Sequence, residues 1–162
     1  MSSVILGVDP GSRHTGFGVL RGEGDQLLHL ASGSINAGSR PPLESRLCRI
    51  FDGLSDLIQQ HQPQAIALEE IFLGTNVHSA FTLGQVRGVV LLLAARAGVP
   101  IFNYSPLVVK KAVVGYGLAS KAQVQLMVEQ LLKVGVKNQH AADALAVGLC
   151  HFFQSRWPKV AP

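Results

Sequence analysis

Val4-Ile5-Leu6-Gly7-Val8-Asp9-Pro10-Gly11 is a short apolar run, rich in strand-forming residues, that ends in a turn signal. It reads as a strand that delivers Asp9 to its carboxyl end. The pattern continues outward from there. Thr15 to Leu20, with Phe17 and Val19 between two glycines, reads as a second strand, and Asp25 to Ile35 as a third. Turns of about five residues would join the three into an antiparallel meander. Leu43, Leu47, Ile50, Phe51, Leu54 and Ile58 then follow helical spacing after Pro41-Pro42 and stop at Gln62-Pro63. Ala65-Ile66-Ala67-Leu68 suits a buried strand before Glu69-Glu70. Val77 to Ala97 is a long apolar helix closed by Gly98, and Ile101 to Tyr104 a fifth strand. Ser105-Pro106 starts another helix, Ser120-x-x-Gln123 is a capping box for the next, and residues 139–154 form a last, strongly apolar one. Three strands followed by alternating helices and strands predict an α/β fold: a mixed five-stranded sheet flanked by helices.

A chain of 162 residues has room for one ordinary domain. Its composition, 48% apolar and only 15% charged, excludes a disordered polymer. The longest apolar run, Gly88 to Ala95, is short of the roughly 20 residues a spanning helix needs, and the amino terminus lacks a secretory pattern. No membrane association is expected. Cys48 and Cys150 form neither a disulfide framework nor a zinc motif and read as buried small hydrophobes, so the cytoplasm is the expected location. Charge is uneven: residues 1–100 carry net −1 and residues 101–162 net +5. A basic carboxyl-terminal third can attract an anionic polymer, although a solvated, solubilising surface has the same composition.

Three features place acids at strand or helix ends in an acid-poor chain. Asp9 ends the first strand, where it also serves as ordinary turn chemistry. Glu69 and Glu70 end the Ala65–Leu68 strand and point to opposite faces, so only one can share a site with Asp9; Glu69, next to the apolar run, is the better candidate. His140 and Asp143 stand three residues apart on one helix face, and almost everything after them is apolar. A charged Asp143 there is costly unless paired, metal-bound or favoured by the helix dipole. Together these are three carboxylates and an imidazole from distant parts of one chain. Such a donor set suits Mg²⁺ or Mn²⁺ better than structural zinc.

The segments GVDPGSRHTGFGV, ALEEIF, LGQVRG, VKKAVVG, SKAQVQ and HAADALAVGLCH resemble, in order and over nearly the whole chain, those of the RuvC-type Holliday junction resolvases. The resemblance implies an RNase H-like nuclease domain over 1–155 with a short tail, 156–162. It also implies a homodimer, a bacterial branch-migration complex as partner, and metal-dependent cutting of opposed strands in four-way junction DNA. The family's catalytic acids fall on Asp9, Glu69 and Asp143. Many members carry an aspartate where this chain has His140, a softer ligand that favours Mn²⁺. Two cations per active site would activate water and neutralise the leaving oxygen. Asp9 would bridge them, Glu69 would serve one, and His140 and Asp143 the other. His140 could instead protonate the leaving oxygen.

By the same resemblance, Lys110 and Lys121 face DNA phosphates and Phe72 meets a base at the junction, although an aromatic residue in such a connection is usually core. Arg13, Arg87 and Asn76 are further candidate DNA contacts; an ion pair on a helix is the ordinary alternative for Arg87. The dimer surface is expected to involve the Val77–Ala97 helix, whose apolar run Val89–Ala95 exceeds what a single buried face requires; a fully buried monomer helix is the ordinary alternative. Two rival readings remain. An actin-like nucleotide-binding fold shares a first strand ending in Asp and Gly but needs two domains. A non-catalytic junction binder would not need acids at three separate element ends.

Overall fold

The structure, a computed structural model, describes residues 2–71 and 74–156. Among them the chain forms β1 (Ser2–Asp9), β2 (His14–Glu23), β3 (Gln26–Asn36), α1 (Leu43–His61), β4 (Ala65–Glu69), α2 (Val77–Ala97), β5 (Ile101–Tyr104), α3 (Pro106–Val114), α4 (Lys121–Leu132) and α5 (Gln139–Arg156). The sheet order is β3-β2-β1-β4-β5. The first three strands are the expected antiparallel meander, and β4 and β5 extend it in parallel from β1. The expected tail lies outside the described residues apart from Arg156, the last residue of α5.

One difference concerns a turn. β2 runs to Glu23 and β3 starts at Gln26, so Asp25 is in the hairpin turn and not in the strand expected from residue 25. Gly24, at φ 57°, supplies the left-handed conformation that so tight a connection needs. Side chains alternate across β1. Val4, Leu6 and Val8 join Ile66 and Leu68 in a core with Ile50 and Leu54 of α1 and Val86 and Val90 of α2. Ile5 and Ala67 join a second core with Val109 of α3, Val128 of α4 and Leu145 and Leu149 of α5. The same alternation assigns Asp9 and Glu69 to the α5 side of the sheet.

The predicted caps form. Ser120 Oγ accepts from the Gln123 amide at 3.2 Å, and Gln123 Oε1 accepts from the Ser120 amide at 2.8 Å. Ser105 Oγ accepts from the Val108 amide at 3.3 Å. The α2 helix is buried through Val86, Val90, Leu93 and Ala94, whereas Phe81, Gly84, Gly88, Leu91 and Leu92 are exposed. By length and composition alone, α2 is long and apolar enough to cross a membrane. The longest unbroken apolar run understated this because Arg87 and Arg96 bound it. Cys150 is buried, but Cys48 is exposed on α1, contrary to expectation. Helical spacing turns Cys48 away from the Leu47–Phe51–Leu54 face that meets the sheet. His29 of β3 is half-buried with Nε2 2.8 Å from Ser32 Oγ, and burial lowers its pKa.

Candidate active site

The site begins with strand register. β1 and β4 are parallel neighbours, with Val8 opposite Leu68 as the last paired rung. The next residues are Asp9 and Glu69, so the sheet sets two carboxylates side by side at its carboxyl edge. The turn after Asp9 is held by Thr15, whose buried hydroxyl donates to the Gly11 carbonyl at 2.7 Å.

Asp143 arrives from α5. That helix lies directly on the sheet because β1 and β2 present glycines to it. A Cβ at Gly7 would overlap the Ala144 carbonyl oxygen, and one at Gly16 the His140 carbonyl oxygen. Asn138 caps α5: its Oδ1 accepts from the His140 amide at 2.9 Å and the Ala141 amide at 3.3 Å, and its Nδ2 donates to Ser34 Oγ at 3.0 Å. The helix start is thereby pinned to β3, with Asp143 one turn in.

Asp9, Glu69 and Asp143 line one pocket of about 130 Å³, together with Pro106, Lys110 and Lys121. His140 stands at its side, with Nδ1 3.3 Å from Asp9 Oδ2 and its ring stacked on His14 at 5.4 Å. Lys121 Nζ is 3.5 Å from Asp143 Oδ2, and Gln139 Nε2 donates to Asp143 Oδ1 at 2.9 Å. Burial pushes Asp9 up to about 6, and the Asp143 charge adds to this, against the pull of His140 and Lys121. Burial pushes Glu69 up to about 7, reinforced by Asp9 and Asp143 and opposed by Lys121 and Lys110. Asp9 and Glu69 therefore resist ionising in this setting.

A cation would relieve that repulsion, and carboxylate oxygens with one imidazole form a donor set that fits a hard or borderline divalent ion. Among the described residues no three His, Cys, Asp or Glu side chains already stand close enough to hold one ion. Side-chain rotation would have to close the set. Asp143 has the Lys121 and Gln139 contacts to give up; Glu69 forms no side-chain hydrogen bond among the described residues.

The remaining candidates are dispersed. Arg87 does not reach the pocket as a free cation: it donates to the Glu69 carbonyl at 2.9 Å and to Asn103 Oδ1, bracing the end of β4 against β5. Asn76 caps α2 by accepting from the Ser79 amide at 3.1 Å. Arg13 is exposed in the β1–β2 turn, where its carbonyl accepts from the Ala37 amide at 2.8 Å. Phe72 lies outside the described residues. Glu70 is exposed, as the strand alternation required.

Sequence reading passed over four residues of the site. Gln139 and Asn138 carry no motif beyond polarity at a helix start. The strand glycines Gly7 and Gly16 did carry a signal, since glycine inside a strand marks close backbone approach.

Residues 5–151 match the family model described as crossover junction endodeoxyribonuclease RuvC. A protein of that name from Shewanella amazonensis is 50% identical over 151 residues, covering 93% of this chain and 87% of the relative. One from Shewanella loihica is 51% identical over 150 residues, covering 92% and 86%. Thermus thermophilus RuvC, solved in complex with a Holliday junction substrate, superposes with a TM-score of 0.90 at 35% identity and 95% coverage of both chains. With the sheet order, the convergent acids and these similarities in agreement, the chain belongs to the RuvC family of crossover junction endodeoxyribonucleases.

Proposed function

We propose that this chain resolves four-way DNA junctions by divalent-cation-dependent hydrolysis of one phosphodiester in each of two opposed strands. The observation that carries the reading is the convergence of Asp9, Glu69 and Asp143 on one pocket flanked by Lys110 and Lys121. A divalent cation is the cofactor, and we assign two Mg²⁺ or Mn²⁺ ions per site. When bound, such a pair activates water and neutralises the leaving oxygen. Asp9, next to both Glu69 and His140, is the residue that would be shared between them. Lys110 and Lys121 would hold the flanking phosphates, a role for which Lys121 would have to leave Asp143. Arg13 extends the phosphate track along the β1–β2 turn. Asn76, at the start of α2, and Phe72, which lies outside the described residues, remain candidates for the junction centre.

Two opposed nicks call for two active sites, and a two-fold dimer matches a substrate of the same symmetry. We assign the dimer surface to the exposed side of α2. Gly84 and Gly88 there have open space around them and permit close helix approach, while Phe81 and Leu92 flank them. Action in the cytoplasm alongside a branch-migration complex belongs to the same reading.

The deciding test is a labelled four-way junction incubated with the protein, with and without Mg²⁺ or Mn²⁺, with the nicks mapped on all four strands. Paired symmetric nicks that require the cation are expected. Tight binding without cation-stimulated nicking would favour the non-catalytic reading, and ATP binding the nucleotide-binding one.

Two further outcomes separate the assigned roles. Lys110→Ala or Lys121→Ala should weaken junction binding and lower the slope of log affinity against log salt by about 0.9 each, the value for one phosphate contact on B-form DNA. An unchanged slope would leave that lysine as a solvated cation, or for Lys121 as no more than the partner of Asp143. His140→Asp should shift the ratio of Mn²⁺- to Mg²⁺-supported single-turnover rates towards Mg²⁺ if His140 is a ligand. If His140 only donates a proton, the rate falls and the ratio stays. The pH profile discriminates poorly here, because Asp9 at about 6 and Glu69 at about 7 titrate in the same range as an ordinary histidine.

A further inference from the structure

The loop between α3 and α4 projects apolar side chains into water. Leu118 is 89% exposed, Tyr116 46%, and Leu107, in the first turn of α3, 54%. A Cβ at Gly117 would stand 2.9 Å from Leu107 Cγ and Cδ1, so the loop backbone rests on Leu107, and Tyr116 and Leu118 flank that contact. The result is one apolar projection on a short loop. Nothing in the chain's own core requires it: Val109 and Val113 of α3 and Val124 and Val128 of α4 carry the packing below.

Its surroundings indicate what covers it. Pro106 and Lys110 of α3 and Lys121 of α4 line the acidic pocket, and the projection joins those two helices. Lys111, exposed, lies in the last turn of α3. No Asp or Glu occurs anywhere between Glu70 and Glu129. The apolar tip is therefore bordered along the chain by cations alone. A protein surface would ordinarily meet it with both signs of charge at the rim. DNA meets it with phosphates on both sides of a groove whose walls are sugar and base, and leucine is among the side chains that enter such grooves or wedge between base steps.

We propose that Tyr116 and Leu118 pack against the sugar and base walls of the groove beside the cut strand, between phosphates held by the flanking lysines. The inference rests on the junction-cutting reading above and assigns this loop a part in binding that charge does not supply. Both side chains are exposed, so truncating them leaves the fold intact.

The test is junction affinity without divalent cation, over a series of salt concentrations, for wild type, Lys121→Ala and the double variant Tyr116→Ser with Leu118→Ser. The double variant should bind about tenfold more weakly at every salt concentration, as expected for losing roughly one buried apolar side chain. Its salt slope should be unchanged, because no charge is lost. Tyr116→Trp should change emission when the junction is added, measured against wild type, whose single tryptophan is Trp157. Unchanged affinity in the double variant would overturn the inference. So would an emission change, specific to the Tyr116→Trp variant, that follows protein concentration without DNA. A wild-type chain that fails to bind the junction would overturn the functional reading itself, a separate result.

Discussion

Asp9→Asn is expected to lower junction cleavage by about a thousandfold or more while leaving junction affinity within a few-fold of wild type. The cleavage loss follows from removing the carboxylate that adjoins both Glu69 and His140, where several kcal/mol of transition-state charge stabilisation would depend on a bound cation. Binding persists because Lys110 and Lys121 stand on other elements. The same substitution should stabilise the cation-free protein at neutral pH. Asp9 is raised from 3.8 to about 6 and Glu69 from 4.5 to about 7, so the native state holds these protons more tightly than the unfolded chain. That contribution is fully present below about pH 4 and is lost as pH rises through 6 to 7. The asparagine side chain never ionises, and its neutrality also relieves Glu69. At pH 8 without divalent cation, Asp9→Asn should melt about 2–8 °C above wild type, equivalent to about 1–2 kcal/mol after allowing for partial exposure. Adding Mg²⁺ should raise the wild-type melting temperature at pH 8, much less at pH 5, and little at any pH in the variant. Normal cleavage by the variant at saturating cation would remove Asp9 from the site.

The sheet was legible because each strand carries its own pattern. Ala65-Ile66-Ala67-Leu68 suited a buried strand, period-two alternation left only one of Glu69 and Glu70 to face the site, and adjacency to the apolar run favoured Glu69. The α2 and α4 boundaries followed from Gly98 and the Ser120–Gln123 box, which are local signals with local causes. The Gly24–Asp25 turn was misplaced by a residue or two because aspartate is acceptable at a strand start and in a turn alike. Cys48 was misjudged because residue type outweighed helical spacing: it sits one position after Leu47 and so turns outward.

The composition of the site was more legible than its contacts. Three acids at element ends could be recognised from sequence, but not that Asp143 is already engaged by Lys121 and Gln139, or that His140 leans on Asp9. The His140–Asp9 contact depends on how close α5 comes to β1, and the Lys121–Asp143 contact on how α4 packs against α5, distances with no one-dimensional signature except the strand glycines; only the Gln139–Asp143 contact is local, four residues apart on α5. Arg87 shows the converse. Its position in the LGQVRG segment suggested a DNA contact, yet the fold gives its guanidinium a carbonyl and an amide to hold, 18 and 16 residues away in the chain. A phosphate would have to displace both.

Gly16→Ala tests whether that close approach is what assembles the site. Gly16 sits opposite Asp9 in the β1–β2 ladder, and an added Cβ would overlap the His140 carbonyl oxygen. Its φ is not in the left-handed region, so the cost is contact and not backbone conformation. The carbonyl belongs to helix backbone and cannot rotate aside, so the start of α5 must lift by about 1 Å or more to restore van der Waals separation. His140 and Asp143 would move with it, away from Asp9 and Glu69, which stay with the sheet. A displacement of about 1 Å is enough to lower a rate by about a hundredfold. Gly16→Ala is therefore expected to lose about that factor in single-turnover cleavage and to be destabilised by about 1–3 kcal/mol, the usual cost of overpacking. Junction affinity should change little, since α3 and α4 carry the lysines. Gly135→Ala, where the added methyl meets open space, is the control and should behave as wild type in all three measurements. If Gly16→Ala cleaves at the wild-type rate with its stability lowered, α5 tolerates the shift and the acids do not need it so close; if neither quantity moves, the steric account of the site is wrong.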